Sequence, residues 1–119
     1  LRICYDLRFP AWSRNKYNYD LLIYVANWPE KRIQAWDTLL KARAIENMCY
    51  CLGVNRVGND GNNKRYPGHT TFFNYLGDKV ACSIKQKNNI IDFDFDKQEM
   101  ISIREELKFL NDIDDFKVQ

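Results

Sequence analysis

The chain has 119 residues, of which 45% are hydrophobic and 29% charged, and its net charge is +2. That length suffices for one domain with a moderate core, and a charge so close to balance argues against a nucleic-acid or anionic-membrane partner. No apolar run approaches the ~20 residues needed to span a bilayer, and no signal peptide is visible.

Residues 1–4 read as the end of a strand that runs into Ile3-Cys4-Tyr5-Asp6-Leu7-Arg8-Phe9-Pro10. A strand that stops at a cysteine and turns into a helix presents the sulfur at the sheet edge. The next backbone N–H and the positive end of the helix then face any group the sulfur attacks. A helix N-terminus also lowers a thiol pKa towards the reactive thiolate. The competing fate is the usual one for a free cysteine, burial as a small hydrophobe.

Pro10 suits the first turn of a short helix over residues 10–16. Residues 21–26 (LLIYVA) are continuously apolar, the pattern of a strand buried on both faces. Residues 30–47 give the clearest helix: Ile33, Trp36, Leu40 and Ala44 fall on one stripe behind Pro29. Asn27 could cap that helix.

A strand is expected over 49–57, then a loop over 58–68, rich in Gly and Asn. Strands follow over 70–75, 80–87 and 90–95, with Leu76-Gly77-Asp78 turning between the first two. Residues 100–110 can form an amphipathic helix with Ile103, Leu107 and Leu110 on one side. The order of strands and helices, followed by a meander, indicates an α/β sheet with an antiparallel extension.

Four cysteines, Cys4, Cys49, Cys51 and Cys82, contain no C-x-x-C pair, and the single histidine, His69, is remote from all of them in sequence. Reduced cytoplasmic thiols and no metal site are the reading. Cys49 and Cys51 share a strand face and should pack as small hydrophobes. Asp92, Asp94 and Asp96 alternate on one face, where three carboxylates suit a solvated edge better than a metal.

Asn27-Trp28-Pro29, Ala42-Arg43-Ala44-Ile45-Glu46-Asn47, Gly53-Val54-Asn55-Arg56-Val57-Gly58, Asp60-Gly61-Asn62 and Tyr66-Pro67-Gly68 follow the cysteine segment in order. With those motifs, the chain resembles the C-terminal half of a nitrilase-superfamily carbon–nitrogen hydrolase. Within that superfamily it is most similar to the omega-amidase branch. The resemblance extends to about residue 96 and weakens in the tail, 97–119. It implies the second half of a four-layer αββα sandwich and a domain about twice this length. No initiator Met precedes the first strand, so the expectation is a piece of a longer chain that needs its N-terminal half.

The resemblance also implies site residues. Cys4 matches the nucleophile, and the Tyr5 backbone N–H belongs to the oxyanion hole. The base Glu, a Lys and a supporting Glu lie upstream in the family and are matched by nothing here. Asn27 and Trp28 match the loop beside the substrate pocket; capping and core packing are the plainer alternatives. Asp6 and Arg8, within the nucleophile turn, are expected to be local hydrogen-bond partners that brace Cys4. Arg43 and Glu46, three apart on one helix, form a supporting ion pair, with Asn47 fixing the helix end. Asn55 and Arg56 point to opposite faces, and either one approaches the site. Tyr66, Gly68 and Thr70 match a Tyr-x-Gly-x-Ser stretch, and His69 within it is expected in solvent.

The implied activity is cysteine-dependent hydrolysis of a small-molecule amide, above all the terminal amide of a 2-oxo acid amide, through a thioester on Cys4 and with no cofactor; without the N-terminal half the chain is expected to be inactive. The implied assembly is a homodimer. The alternative is a catalytically incomplete half-domain that only associates with another chain.

Overall fold

The computed structural model describes residues 1–83 and 90–117. The first strand, β1 (Arg2–Ile3), ends where a five-residue 3-10 turn, Cys4–Arg8, begins. A second 3-10 turn, Pro10–Ser13, replaces the helix expected over 10–16. The next strand, β2 (Leu21–Ala26), leads through a third such turn, Glu30–Arg32, into helix α1 (Ile33–Asn47). Then come β3 (Tyr50–Asn55), β4 (Val57–Asn59), β5 (Arg65–Pro67), β6 (Thr71–Phe73), β7 (Lys79–Cys82) and helix α2 (Lys97–Leu107).

Five strands make one mixed sheet in the order β1-β2-β3-β6-β7. The first three are parallel, with Val25 opposite both Ile3 and Val54, and β6 and β7 add antiparallel. This is the expected α/β arrangement. Parallel β2 and β3 need a crossover, and α1 supplies it on one sheet face.

The stripe on α1 meets that face as its spacing dictates. Trp36, Leu40 and Ala44 pack with Leu22, Tyr24, Cys49, Cys51 and Leu7. Gly53 lies under this contact, where a Cβ would overlap the side chains of Leu40 and Trp36. The helix stops because Met48 takes a left-handed conformation, φ 45°, and Cys49 N–H returns to the Ala44 carbonyl at 3.2 Å.

The opposite face is covered unevenly. At one end Tyr50, Phe72 and Tyr75 pack under Met100 of α2, with Leu21, Leu52 and Ile103 around them. At the other end Ile3, Val25 and Val54 are 64%, 38% and 40% exposed. LLIYVA is therefore buried on one face and open along part of the other, a correction to the two-sided burial expected from its composition.

Three further expectations are corrected. The segment 58–68 is not irregular: β4 and β5 pair as a separate hairpin, closed by Asp60 Oδ1, which accepts from the N–H groups of Asn62 and Lys64. No strand forms over 90–95. Phe93 stacks on Phe72 and Phe95 lies against Tyr50 while staying exposed, as Asp92, Asp94 and Asp96 do. Asp96 caps α2, accepting from Glu99 N–H at 2.9 Å, so that helix starts three residues earlier than its apolar stripe suggests. The strand expected over 80–87 is present as Lys79–Cys82, and its second half lies outside the described residues.

Arg104 anchors α2. It donates to Met48 O, to Tyr19 O and to Asp20 Oδ1 at 2.7, 2.8 and 3.0 Å, and Lys97 closes on the other oxygen of Asp20 at 2.7 Å. No helix among the described residues is long and apolar enough to cross a membrane.

Candidate active site

Cys4 sits at the step from β1 into the first 3-10 turn, with φ at 37°. A non-glycine residue in that region carries backbone strain of roughly 1 kcal/mol. The surrounding turn must hold it there, and Asp6 does so by accepting Ile3 N–H at 3.0 Å. The turn is five residues long, so the helix expected behind the thiol is a single tight winding, and its charge effect is confined to local N–H groups. Tyr5 is the second residue of that winding. As the second residue it lies too early in the turn for its N–H to find a carbonyl partner within it.

The thiol faces two open hollows. One is lined by Ile3, Val25, Ala26, Asn27, Val54, Asn55 and Arg56 as well as Cys4. The other lies between Cys4, Tyr5, Arg8, Asn27, Trp28 and Arg32. Asn27 is common to both, and its carbonyl oxygen is 4.0 Å from Cys4 Sγ. Asn27 does not cap α1, because the turn Glu30–Arg32 intervenes. Trp28 is only 3% exposed; it packs on Trp36, donates to Arg32 O at 2.7 Å, and carries the Arg8 guanidinium over its ring. Arg8 thus braces the turn by stacking rather than by pairing with Asp6.

Behind the turn, Arg43 donates to Leu7 O at 2.6 Å and to Glu46 Oε1 at 3.0 Å. Arg43 is 3% exposed, so one buried cation ties the cysteine turn to α1. Asn47 fixes the helix end, donating to Arg43 O and accepting Asn15 N–H. Arg14 completes the brace by donating to Glu46 O.

Asn55 and Arg56 separate as the strand period requires. Arg56 is exposed at the hollow and lies over the Tyr66 ring. Asn55 is buried and spends its whole side chain on backbone: Oδ1 accepts Trp28 N–H at 2.7 Å, and Nδ2 donates to Trp28 O and Gly68 O at 3.0 and 2.7 Å. Thr70 uses its hydroxyl to accept Asn55 N–H at 3.1 Å.

His69 is a correction. Its side chain is 14% exposed, not solvated, because Asp37 on α1 meets Nε2 at 2.8 Å. Lys79 reaches the same Asp37 oxygen at 3.2 Å. The residues that sequence reasoning missed are Arg14, the Leu7 carbonyl and the clamp made by Asn55; all act through backbone atoms, which leave no signature in side-chain spacing.

The remaining thiols differ in kind. Cys49 and Cys51 are buried, and burial pushes Cys49 up to about 12 and Cys51 well above its ordinary value. Cys82 is exposed on β7. No group of three or more His, Cys, Asp or Glu placed to hold a metal occurs among the described residues.

The family description "Carbon-nitrogen hydrolase" matches residues 1–105. The chain is 44% identical over 115 residues to an omega-amidase YafV of Yersinia enterocolitica, covering 97% of this chain and 45% of that protein. It is 34% identical over 113 residues to a 2-oxoglutaramate amidase of Bacillus subtilis, covering 93% and 43%. Among solved structures it superposes on XC1258 of Xanthomonas campestris, a CN-hydrolase superfamily protein with an arsenic adduct in its active site. The TM-score there is 0.92 at 37% identity, over 98% of this chain and 47% of that one. The chain thus spans less than half the length of these relatives, and the family match ends at residue 105, within α2.

Proposed function

This chain belongs to the carbon–nitrogen hydrolase family, and we propose that it carries the nucleophile of an amidase acting on the terminal amide of a 2-oxo acid. The observation that carries the reading is Cys4: a half-exposed thiol on a strained turn, between the Tyr5 N–H and two open hollows. The omega-amidase and 2-oxoglutaramate amidase relatives support the substrate class.

In the proposed reaction the Cys4 sulfur attacks the amide carbonyl carbon. A C–S bond forms, and the carbonyl electron pair moves to oxygen, where the Tyr5 N–H stabilises it. Collapse of that intermediate breaks the C–N bond, and ammonia leaves with a proton from a general acid. Water then attacks the thioester, releasing the carboxylic acid and restoring the thiol. Asn27 borders both hollows, and Trp28 closes one of them from below. Arg8 and Arg32 on one side, with Arg56 on the other, give the mouth a positive field suited to an anionic acyl chain.

Among the described residues, neither hollow has a carboxylate or lysine in its lining. This favours a second statement: the base and acid are supplied by chain outside these residues, and residues 1–119 alone hydrolyse nothing. The test is ammonia release by the polypeptide that carries this sequence, on 2-oxoglutaramate, a simple aliphatic amide, a nitrile and a carbamoyl amine. Fastest turnover of the 2-oxo acid amide is expected. Release from the nitrile or the carbamoyl amine alone would move the protein to another branch of chemistry.

A further inference from the structure

We propose that Asn55 is a positioning residue for the reaction at Cys4, acting through the Asn27–Trp28 peptide; the inference rests on the amidase reading above. Asn55 grips both sides of Trp28, accepting its N–H at 2.7 Å and donating to its carbonyl at 3.0 Å. Its remaining donor hydrogen goes to Gly68 O at 2.7 Å. Both donor hydrogens and one oxygen lone pair of the amide are spent on backbone, and the residue is 6% exposed, so little of it is free to meet a substrate.

What it does offer is geometry. Trp28 N–H belongs to the peptide whose carbonyl is Asn27 O, the oxygen that faces Cys4 Sγ at 4.0 Å. Pinning that N–H fixes the direction of the opposite carbonyl. Asn55 borders the first hollow with its amide committed to backbone, and through Trp28 it sets the Asn27 wall common to both. Its own backbone is held in turn, by the Thr70 hydroxyl on its N–H. The clamp joins three loops that approach the site: the end of β2, the end of β3 and the stretch after β5. A displacement of about 1 Å in such a wall costs on the order of a hundredfold in rate.

Two variants of the polypeptide that carries this sequence test the assignment. Asn55→Ala removes the clamp. Asn55→Asp keeps the acceptor for Trp28 N–H, but when ionised it sets a charge against the carbonyls of Trp28 and Gly68. In Asn55→Ala, amide hydrogen exchange at Trp28 should quicken by roughly tenfold or more. The kcat for amide hydrolysis should fall by roughly tenfold or more, with KM moving less than about threefold. Asn55→Asp should regain activity relative to native protein as the pH falls, because a protonated carboxyl restores a donor; a merely structural cavity gives no such profile.

Unchanged exchange at Trp28, or native kcat in both variants, overturns the assignment. Where Asn55→Ala lets iodoacetamide reach Cys49 and Cys51, the core has opened, and the pH profile of Asn55→Asp alone decides. Native protein that hydrolyses no amide, while the variant still loosens Trp28, would refute the amidase reading and leave the clamp standing.

Discussion

Cys4 illustrates how far one residue's setting can be read before its neighbours are known. Its place after an apolar residue and before a proline-bearing stretch marks a strand-to-turn step, and the structure has that step at φ 37°. Its supports were less legible. The pairing of Arg43 with Glu46 follows from i, i+3 spacing, but the bond from Arg43 to the Leu7 carbonyl does not, because a backbone acceptor can be any residue. Replacing Arg43 by Met leaves that carbonyl unsatisfied in the core. A loss of about 1–3 kcal/mol is expected, measured as a lower urea midpoint with unchanged slope. Gly53 is the other single-atom constraint. Gly53→Ala forces a methyl into Leu40 and Trp36, and overpacking of this kind costs about 1–3 kcal/mol. Chemical denaturation compared with Gly58→Ala separates the two effects, since nothing crowds a Cβ at Gly58 and only its φ of 105° resists the change.

At the scale of elements, strong periodicity was the legible part. The stripe Ile33, Trp36, Leu40, Ala44 and the run LLIYVA both emerged where expected, because each buries a face against the other. The hairpin of β4 and β5 was not legible: its strands are three residues each and carry a glycine and a proline, and hydrogen bonds rather than apolar alternation hold them. The unpaired 90–95 segment misled in the opposite way, since two phenylalanines packing on Tyr50 and Phe72 imitate a strand without needing a ladder. Helix α2 depends on few anchors. Arg104→Ala removes three hydrogen bonds at once, and hydrogen exchange across Lys97–Leu107 should rise while exchange in α1 stays put.

The same elements set a pH dependence. The hydrogen bond from Lys97 lowers the Asp20 carboxyl, as does Arg104. Its contribution is present above the ordinary value of 3.8 and is lost as the pH falls through the lowered one, so acid should loosen α2 first. On the alkaline side, burial raises Cys49 from 9.0 to about 12, and Cys51 and Tyr19 move up as well. These groups are neutral in both states below pH 9. Above it the unfolded thiols ionise while the folded ones do not. Stability should therefore decline between about pH 9 and 12, seen as a falling urea midpoint.

For the molecule as a whole, the uneven covering of the sheet is the feature that matters. The end under α2 is finished, while the end beside Cys4 leaves Ile3, Val25 and Val54 open. Composition could not foretell this, because an apolar strand reads the same whether its second face meets its own chain or something else. The open end coincides with the hollows in which no described residue supplies a carboxylate or lysine. Together with relatives more than twice as long, this supports a site completed by further chain.

The claim that Cys4 is the nucleophile is tested most directly by ammonia release from 2-oxoglutaramate. The native polypeptide carrying this sequence would be compared with its Cys4→Ala and Cys82→Ala variants. Turnover is expected from the native and Cys82→Ala proteins, and none above the uncatalysed rate from Cys4→Ala. Turnover by Cys4→Ala at the native rate would contradict it.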